Sequence, residues 1–452
     1  MSRRHLSLVV PPPVDGSVVS DYAGGLGFEP LGDYVLPPLD LLQIAAVAQA
    51  TFEPELLDFA VAPLDRASAV NRILESRPDI VIVQADLPTL ASTMLFARAI
   101  RAAGVRTLIR IQRIEAPTLR RLNVELADEW LWGDCYFDLP SILEGVPSPF
   151  TFCGSDVPPW PGGGANVGKL PFPLHRLLKP GAYVYPKLGH CFTVITSRGC
   201  PFPCGYFCPY PLVQGNRWQA RAPADVIAEI GDALDFGLPP HVLFRDAVFT
   251  LDSSRTLDLC SGIERGGLCF TWWCETRADL LDEVQICAMA RAGCVGVNLG
   301  VETGDEELRL RLLKGRTTDH RLSATTLLLR RYGIASSLLF MCGWPTETVG
   351  SLVKTAELIE RVRPASAGVV FPTAYPGTQF HDDLVRSGLL DEGALPTSGA
   401  VPQVPSEHLA ASVLIEARRH LIDIARLASD PAVKSSDVAE RVEELRSWAH
   451  VQ

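Results

Sequence analysis

Three cysteines stand at positions 200, 204 and 208 in the stretch "RGCPFPCGYFCPYP", where prolines stiffen the chain. Closely spaced thiolates are ligands for soft metal ions. A structural zinc site needs four ligands, and the nearest histidine, His190, precedes the adjoining predicted strand, at its far end. Thiolates without a local imidazole favour an iron–sulfur cluster, and three of them leave one iron open to another ligand. The sequence therefore predicts an open [4Fe-4S] site, with a zinc site and a degenerate, metal-free loop as alternatives.

Polar residues gather at the ends of predicted strands that follow this loop. The strand patterns are "HCFTVITSRG", "HVLFRDAVF", "LCFTWWCETRA", "CVGVNLGVETG", "IASSLLFMCGWPTE" and "SAGVVFPTAYPGT", with helices between them. Six such units predict an open, partial (β/α)6 barrel. The polar or glycine residues at the strand ends are Arg198, Asp246, Glu275, Arg277, Glu302 and Gly343. Because barrel chemistry takes place at the carboxyl ends of the strands, we expect these residues to surround a site.

Four aromatic residues lie near the same strand ends: Tyr210, Trp272, Trp344 and Tyr375. They are candidates for the wall of a substrate pocket. Trp272 and Trp273 are neighbours in one strand, however, and neighbouring side chains point to opposite faces. One of these two tryptophans must therefore face the surrounding helices.

The first 150 residues alternate five apolar strand patterns with helical ones. The strands are "LSLVV", "ELLDFAV", "DIVIVQA", "VRTLIRIQ" and "DEWLWG". This alternation predicts an α/β, doubly wound, Rossmann-like parallel sheet. A ligand of such a sheet lies beyond the carboxyl ends of the strands, so "VVPPP", "VQADLPT", "IQRIEAP" and "WGDCYFD" form the predicted rim.

Composition shifts divide the rest of the chain. Residues 151–189 are rich in Gly and Pro and predict a linker, and the segment after about 390 is helical and charged. We therefore expect four parts: a Rossmann-like domain (1–150), a linker (151–189), a partial barrel (190–390) and a small C-terminal helical extension (391–452).

The overall composition limits the class of partner and the compartment. The chain has 41 basic and 52 acidic residues, a net charge of −11, which argues against nucleic acid as the main partner. Its longest apolar runs are about half a membrane span, and the apolar part of its N-terminus is too short for a signal peptide. We expect a cytoplasmic protein that does not bind membranes and whose twelve cysteines are mostly reduced thiols.

Several motifs together resemble the cobalamin-dependent radical S-adenosylmethionine (SAM) enzymes. The barrel motifs are "SRGCPFPCGYFCPYP", "GNRWQARAPADVIAEI", "FRDAVFT", "WWCETRADLLD", "GVNLGVETGDEELRLRLLKG", "FMCGWPTET" and "PTAYPGTQF"; "YVLPPLDLLQIAAVAQ" and "ADEWLWGDCYFDLPSILEG" resemble the cobalamin-binding module. The resemblance covers roughly residues 5 to 390. In that family SAM chelates the fourth iron, and the reduced cluster cleaves SAM to a 5′-deoxyadenosyl radical.

The resemblance assigns a role to each candidate site residue. It makes Cys200, Cys204 and Cys208 the catalytic cluster ligands. The SAM-binding candidates are Phe207, Asp246, Glu275, Arg277, Glu302 and Thr303. The cobalamin-binding candidates are Leu39, Gln84, Asp86, Leu87, Thr89, Gln112 and Gly133, and the substrate-pocket candidates are Tyr210, Trp272, Trp344 and Tyr375.

The chain departs from the family pattern at two points. The usual cysteine spacing is three residues and then two, whereas both gaps here hold three, and we expect Gly205 to adopt unusual backbone angles that let the loop bulge. Many cobalamin-binding domains supply a histidine to cobalt, but the first 150 residues contain only His5, before the first strand. We therefore expect no histidine ligand, and Gln84, Asp86 or Leu87 beneath the metal.

The function that the resemblance implies is that of a cobalamin-dependent radical SAM methyltransferase. It would methylate an unactivated carbon of a small metabolite or natural-product intermediate, using a [4Fe-4S] cluster, SAM and methylcobalamin. An external electron donor of the flavodoxin or ferredoxin type and a monomeric state are further expectations. The alternatives are a rearrangement, ring contraction or cyclisation without methyl transfer, polar non-radical C-methylation, and, ranked last, a non-catalytic corrinoid or Fe-S sensor.

Overall fold

The computed structural model describes residues 3–14, 34–122, 129–154, 157–159, 166–396, 399 and 401–448. Two six-stranded sheets, each flanked by helices, account for most of these residues. The strands of the N-terminal sheet are β1 (Arg4–Val10), β2 (Phe52–Asp58), β3 (Ile80–Gln84), β4 (Arg106–Ile111), β5 (Glu129–Trp132) and β6 (Thr151–Cys153). Its helices are α1 (Leu39–Ala48), α2 (Arg66–Glu75), α3 (Leu90–Ala102), α4 (Ala116–Arg121) and α5 (Leu139–Leu143).

The N-terminal sheet has the strand order β2-β1-β3-β4-β5-β6. Strands β1 to β5 are parallel, which confirms the predicted doubly wound sheet. Strand β3 is buried at all five positions, as expected where helices cover both faces of a sheet. Strand β6 adds an antiparallel edge that the sequence did not predict, because three residues are too few to show a strand period.

The second sheet is a row of six parallel strands in sequence order, open at both edges. Its strands are β7 (Phe192–Val194), β8 (His241–Phe244), β9 (Thr271–Thr276), β10 (Cys294–Glu302), β11 (Ala335–Met341) and β12 (Ser366–Val370). The helices between and after them are α6 (Tyr210–Gln214), α7 (Pro223–Asp235), α8 (Ser253–Gly266), α9 (Glu283–Arg291), α10 (Glu306–Arg311), α11 (Asp319–Arg331), α12 (Val349–Val362) and α13 (Gln379–Arg386). This arrangement confirms the predicted partial barrel.

Two C-terminal helices, α14 (Ala411–Ser429) and α15 (Ser435–Ser447), pack beside the β12 edge of the second sheet. They pack against α12, and α14 also packs against β12, where Arg418 Nε donates to the carbonyl of Val369 at 2.8 Å. None of the helices in the described parts of the chain has the length and apolar character needed to span a bilayer.

The described part of the segment predicted as a linker packs against both sheets. Tyr183 donates its hydroxyl hydrogen to Asp58, at the end of β2, over 2.9 Å. His175 Nε2 lies 2.8 Å from Glu229 Oε1 of α7, and both side chains are buried. A β-bridge joins Val35 to Val184. These contacts fix the N-terminal sheet relative to the barrel.

Candidate active site

The cysteine loop begins two residues after β7. Ser197 and Arg198 pair antiparallel with Gln219 and Ala220, which brings the two ends of the loop together. Gly199 connects this pair to Cys200 with a φ of +88°, and a Cβ built there would lie 2.1 Å from a backbone oxygen. Only glycine fits a left-handed position at such a close approach.

The three-residue gap between Cys204 and Cys208 is accommodated by a helical turn. Residues Pro203–Tyr206 form a short 3-10 helix, and the N–H of Cys208 donates to the carbonyl of Cys204 at 3.1 Å. This bond between residues four apart is of the α-helical type, and in an α-helical turn such residues lie on the same side. Gly205 has no positive φ, so the expected bulge through unusual glycine angles is wrong. The regular turn itself places Cys204 and Cys208 on the same side of the loop.

A cavity of about 340 Å³ lies at the carboxyl ends of the barrel strands. Most of the predicted cluster, SAM and pocket residues line it: Cys200, Cys204, Phe207, Cys208, Tyr210, Glu275, Arg277, Glu302 and Tyr375. Further lining residues that were not predicted include Tyr34, Tyr185, Lys187, Asn298 and Lys314. The cavity therefore combines three thiols, charged groups of both signs and several aromatic rings.

Lys314 and Lys187 are the charged residues of the cavity wall that the sequence did not predict, and Lys314 is the more deeply buried. Its ammonium nitrogen lies 2.8 Å from Glu302 Oε1, and both side chains are nearly fully buried. Burial by itself would lower the pKa of Lys314, but the Glu302 carboxylate more than offsets this and holds the pKa above its usual value. The only sequence signal was a lysine that directly follows the leucine-rich stretch "LRLRLL".

Glu302 reaches this position because β10 ends irregularly. The pairing with β11 shifts register between Gly300 and Glu302, and Glu302 has a φ of +72°. A left-handed backbone is unfavourable for glutamate and occurs mainly where surrounding structure enforces it. A Cβ at Gly300 would lie 2.9 Å from Lys314 Nζ and 3.0 Å from Glu302 Oε1, so a larger residue there would displace the partners of the ion pair.

Arg277 and Glu275 project into the cavity from the end of β9. Asp279 accepts hydrogen bonds from Nε and Nη2 of Arg277, at 2.9 and 3.2 Å, and the guanidinium lies 4.2 Å above the Phe202 ring. The remaining nitrogen, Nη1, is buried and has no hydrogen-bond partner among the described residues. Burial raises the pKa of Glu275. The hydroxyl of Tyr210 donates to Glu275 Oε2 at 3.4 Å.

Two predicted SAM residues do not line the cavity. The Asp246 carboxylate is fully buried and accepts hydrogen bonds from Thr196 N, Thr196 Oγ1 and Ser197 Oγ, at 2.7, 2.6 and 2.5 Å. It therefore holds the strand that leads into the cysteine loop, and burial raises its pKa. Thr303 is also buried, and its hydroxyl accepts from the N–H of Asp305 at 3.1 Å.

Two predicted pocket residues also lie outside the cavity wall. Trp272 faces the helices, packs in the main core and donates to the carbonyl of Ala292 at 2.7 Å. Its neighbour Trp273 takes the inner face of β9 and donates to Asn298 Oδ1 at 2.9 Å. Trp344 is buried behind Phe207, with ring centroids 5.3 Å apart, so it supports a lining residue without lining the cavity.

The surroundings of the three thiols fit an iron–sulfur cluster. Burial raises the pKa of Cys200 and Cys208, and the nearby cation Lys314 offsets part of this rise. In the parts of the chain that the structure describes, no three His, Cys, Asp or Glu side chains converge on a single-ion site. The ligands of a four-iron cluster need not converge on one ion, because each thiolate binds its own iron and the cluster separates the cysteine sulfurs.

The predicted cobalamin residues lie at or near the carboxyl edge of the N-terminal sheet. Gln84 ends β3, and Asp86 Oδ1 accepts from the N–H and the hydroxyl of Thr89 at 3.0 and 2.5 Å, which closes the turn around Leu87. Leu39 begins α1 and packs against Ile195 of the barrel. His5 is the second residue of β1 and does not precede the strand as expected; it lies at the opposite edge, where its Nδ1 is 3.0 Å from the carbonyl oxygen of Ser76.

Gln112 is the residue at this edge whose side chain best fits a ligand contact. Its side-chain Oε1 and Nε2 are both buried and have no hydrogen-bond partner among the described residues. The backbone N–H of Gly133, which has a φ of +61°, donates to the Gln112 carbonyl at 3.0 Å. Buried amides are normally satisfied, so an amide-rich group such as the corrin periphery of cobalamin fits this position.

A buried ion pair connects this edge to the cysteine loop. Arg198 Nη1 lies 2.6 Å from Asp134 Oδ1, just after β5, with both side chains almost fully buried. The Arg198 guanidinium also lies 5.9 Å from the Tyr136 ring centroid, and Tyr136 donates to Asp40 at 2.6 Å. Asp40 in turn forms a bidentate pair with Arg110 of β4 at 2.7 and 2.9 Å. The carboxyl edges of the two sheets therefore meet at the candidate site.

Comparisons with known proteins agree with this architecture. Residues 194–359 match the family model of the radical SAM superfamily. The chain is similar to an uncharacterized methyltransferase of Pyrococcus horikoshii, with 29% identity over 226 residues, 50% of this chain and 48% of that protein. It is also similar to an anaerobic magnesium-protoporphyrin IX monomethyl ester cyclase of Rubrivivax gelatinosus, with 25% identity over 190 residues, 42% of this chain and 34% of that protein. The chain thus spans about half the length, or less, of these curated relatives.

A solved structure extends the likeness to the whole chain. It is the radical SAM methyltransferase TsrM from Kitasatospora setae with cobalamin and a [4Fe-4S] cluster bound, with a TM-score of 0.69 and 15% identity over 100% of both chains. At this identity the likeness concerns the fold. The resemblance expected from the sequence motifs is confirmed for the radical SAM domain and for the two-sheet architecture.

Proposed function

Since the chain contains a radical SAM domain on the fold of a cobalamin-dependent radical SAM enzyme, we propose that it is a cobalamin-dependent radical SAM methyltransferase. The observation that carries the proposal is the cavity itself. Three cysteines share its wall with Arg277 and the Glu302–Lys314 pair, at the carboxyl ends of the barrel strands. When bound, the cluster and SAM supply a hydrogen-abstracting radical, and cobalamin supplies the methyl group.

Cys200, Cys204 and Cys208 would hold the cluster. The turn from Cys204 to Cys208 sets their separation, and the buried Lys314 and Arg277 add positive charge beside the thiols. Positive charge next to buried thiols favours the thiolate, the form that binds metal. The chain's own contribution is therefore a buried site in which two cations partly offset the cost of burying the thiolates.

Arg277 and Glu302 would orient SAM. The buried Nη1 of Arg277 has no partner among the described residues, and a guanidinium suits a carboxylate such as that of the methionine moiety. Lys314 fixes the Glu302 carboxylate, which would accept hydrogen bonds from the ribose hydroxyls. Phe207, held by Trp344, would lie against the adenine.

Gln84, Asp86, Leu87 and Gln112 would contact cobalamin at the carboxyl edge of the N-terminal sheet. The unpartnered amide of Gln112 supports an amide-bearing ligand there. The Arg198–Asp134 pair would hold this edge at a fixed distance from the cluster. A methyl donor and a radical source can then face one substrate between them, which is the positioning that the reaction needs.

The substrate would be a small molecule with an unactivated carbon. Aromatic residues such as Tyr34, Tyr185, Phe340, Phe371 and Tyr375 line the cavity, which suits a largely apolar compound and limits the access of water.

Anaerobic reconstitution with iron, sulfide, hydroxocobalamin and SAM tests the proposal. We expect about four irons per chain, formation of S-adenosylhomocysteine and formation of 5′-deoxyadenosine. Cys204→Ala should lose the iron and 5′-deoxyadenosine, whereas Cys269→Ala, at an exposed cysteine outside the cavity, should not. Iron binding that survives in Cys204→Ala would contradict the assignment.

A second candidate keeps both cofactors but transfers no methyl group. The similarity to a cyclase favours it as the alternative. It predicts 5′-deoxyadenosine without S-adenosylhomocysteine. A polar C-methylation would give the reverse pattern, so the same two product assays separate the three reactions.

A further inference from the structure

The end of α10 and the residues that follow it, from Leu310 to Arg316, expose two leucines and two arginines. Leu310 is 64% exposed and Leu313 is 45% exposed, while Arg311 and Arg316 are also exposed. These four residues are called the α10 patch below. Large exposed apolar side chains that lie together mark interaction sites more often than single ones do.

The opposite side of the same segment packs against the cysteine loop. Leu308 and Leu312 are buried in one apolar cluster with Cys204 and Phe207. Lys314 points inward and lines the cavity. The α10 patch is therefore the outer surface of the wall that backs the proposed cluster site.

Leu313 occupies a backbone position that normally belongs to glycine. Helix α10 ends in a Schellman motif: the N–H of Leu313 donates to the carbonyl of Leu310 at 3.0 Å, and the N–H of Lys314 donates to that of Arg309 at 2.9 Å. Leu313 sits at the left-handed position of this motif, with a φ of +59°. A strained, exposed leucine lowers the stability of the fold, and such strain is concentrated at functional sites.

The patch is positively charged on an acidic protein. Residues 310–316 contain no Asp or Glu, whereas the chain as a whole carries a net charge of −11. Neither Arg311 nor Arg316 forms an ion pair with any residue that the structure describes. An acidic partner would therefore find an attractive patch on a protein that otherwise repels it.

We propose that the α10 patch is the docking site for a small acidic flavodoxin-type protein that reduces the cluster. The inference rests on the proposed function, which requires a reduced cluster. One electron leaves the reduced flavin, which is thereby oxidised by one electron, and enters the cluster, which changes from its 2+ to its 1+ state. No atom is transferred.

The chemistry of the patch favours a flavin carrier over an iron–sulfur carrier. A flavodoxin exposes the apolar dimethyl edge of its flavin within a ring of carboxylates. Leu310 and Leu313 would contact the apolar edge, and Arg311 and Arg316 would pair with the carboxylates. Charges at the rim of an interface mainly accelerate association, and they do so most at low salt.

Two measurements on patch variants test the docking site. The first is the Kd of an oxidised recombinant bacterial flavodoxin for the chain, at low and high salt. The second is the rate at which the reduced flavodoxin, or dithionite, reduces the reconstituted cluster under anaerobic conditions. We expect Arg311→Glu/Arg316→Glu to weaken binding and slow reduction by flavodoxin on the order of tenfold at low salt. Reduction by dithionite should not change.

The variant Leu313→Gly distinguishes a loss of flavodoxin binding from a loss of fold stability. Glycine relieves the left-handed strain, so the Tm should stay the same or rise, while flavodoxin binding weakens severalfold. Leu310→Ala should behave likewise in binding. The matched controls are Leu327→Ala on α11, where the leucine is 65% exposed, and Arg419→Glu on α14, and neither should affect binding.

The outcomes distinguish this inference from the proposed function. Unchanged flavodoxin binding in the arginine and Leu313 variants would overturn the docking site, whether or not the chain holds a cluster. Reduction by a ferredoxin but not by flavodoxin would also overturn it. Absence of iron, or of 5′-deoxyadenosine with dithionite, would instead overturn the proposed function.

Discussion

Glu302 and Lys314 form a buried ion pair, with 2.8 Å between Oε1 and Nζ, although Glu302 has a left-handed backbone and Lys314 lies beyond the next helix. Neither feature serves stability by itself, because both charges must leave water and the backbone of Glu302 is strained. The pair places a carboxylate of fixed orientation on the cavity wall. It is therefore better explained as part of a binding site than as a structural element.

If one partner of the Glu302–Lys314 pair is removed, the other is left as a buried, unpaired charge, and the free energy of unfolding should fall. We expect Lys314→Met to lower the free energy of unfolding by about 3–5 kcal/mol, since it leaves Glu302 buried and unpaired. Glu302→Gln/Lys314→Met should lose less than Lys314→Met alone. Urea denaturation of the cluster-free chain measures both. The exposed pair Arg331–Glu283 is the control: Arg331→Met should cost under about 1 kcal/mol. Equal losses at the two pairs would contradict the prediction.

The Arg198–Asp134 pair should matter more for coupling the two domains than for either domain alone. Asp134→Asn removes the charge that holds the cysteine loop to the edge of the N-terminal sheet. We expect iron content and 5′-deoxyadenosine formation to persist while methyl transfer falls on the order of tenfold or more, because the two reacting centres lose their alignment. The ratio of S-adenosylhomocysteine to 5′-deoxyadenosine reports this.

A matched control removes a different inter-element ion pair. Lys354→Met breaks the pair with Asp305, at 2.8 Å, on the outside of the barrel helices. It should leave the product ratio unchanged. A ratio that shifts equally in both variants would show that the change is not specific to the contact between the domains.

The strands were predictable because buried parallel strands have continuous apolar sequences. Nine of the eleven parallel strands lie within the predicted stretches, β1 and β2 begin two and three residues before theirs, and the strand missed is the short antiparallel β6. Which face a residue takes was less predictable. Trp272 and Trp273 alternate, and the register of β9 against β10 shifts between them, so only the assembled sheet decides that Trp273 faces inward.

Contacts between distant parts of the chain could not be predicted from local patterns. Lys314 meets Glu302 only because the chain turns back after α10, and Arg198 meets Asp134 only because two separate sheets abut. Asp246 illustrates the converse. Its position at a strand end indicated a ligand contact, but the neighbouring hydroxyls of Thr196 and Ser197 bind its carboxylate.

The helical turn between Cys204 and Cys208 makes the spacing itself testable. Deletion of Gly205 would restore a gap of two residues, but it would rotate Cys208 by about 100° around the turn. We expect the iron content after reconstitution to fall well below that of the unaltered chain. Gly205→Ala is the control: a Cβ there would contact Pro211 at 3.0 Å, which a small shift relieves, so iron should be retained. Full iron content in the deletion variant would show that the turn is not required.

Glu347 should make the stability of the barrel depend on pH. Its carboxylate accepts from the N–H of Gly343 at 3.1 Å and from Ser351, and it shapes the turn that carries Trp344. Burial raises the pKa of Glu347 to about 7, from an ordinary value of 4.5. Between these values the folded chain keeps a proton that the unfolded chain has lost. Stability should therefore decrease as the pH rises through this window, by up to about 3 kcal/mol.

Glu347→Gln should remove this contribution, because glutamine stays neutral at every pH. The difference in unfolding free energy between pH 5 and pH 8 should be smaller in this variant than in the unaltered chain. The variant should be stabilised relative to the unaltered chain more at pH 8 than at pH 5. Glu440→Gln, on the exposed side of α15, should leave the difference as it is in the unaltered chain. Urea denaturation at a series of pH values measures all three proteins. If Glu347→Gln keeps the full pH dependence, the decrease arises from other groups and Glu347 is ionised throughout.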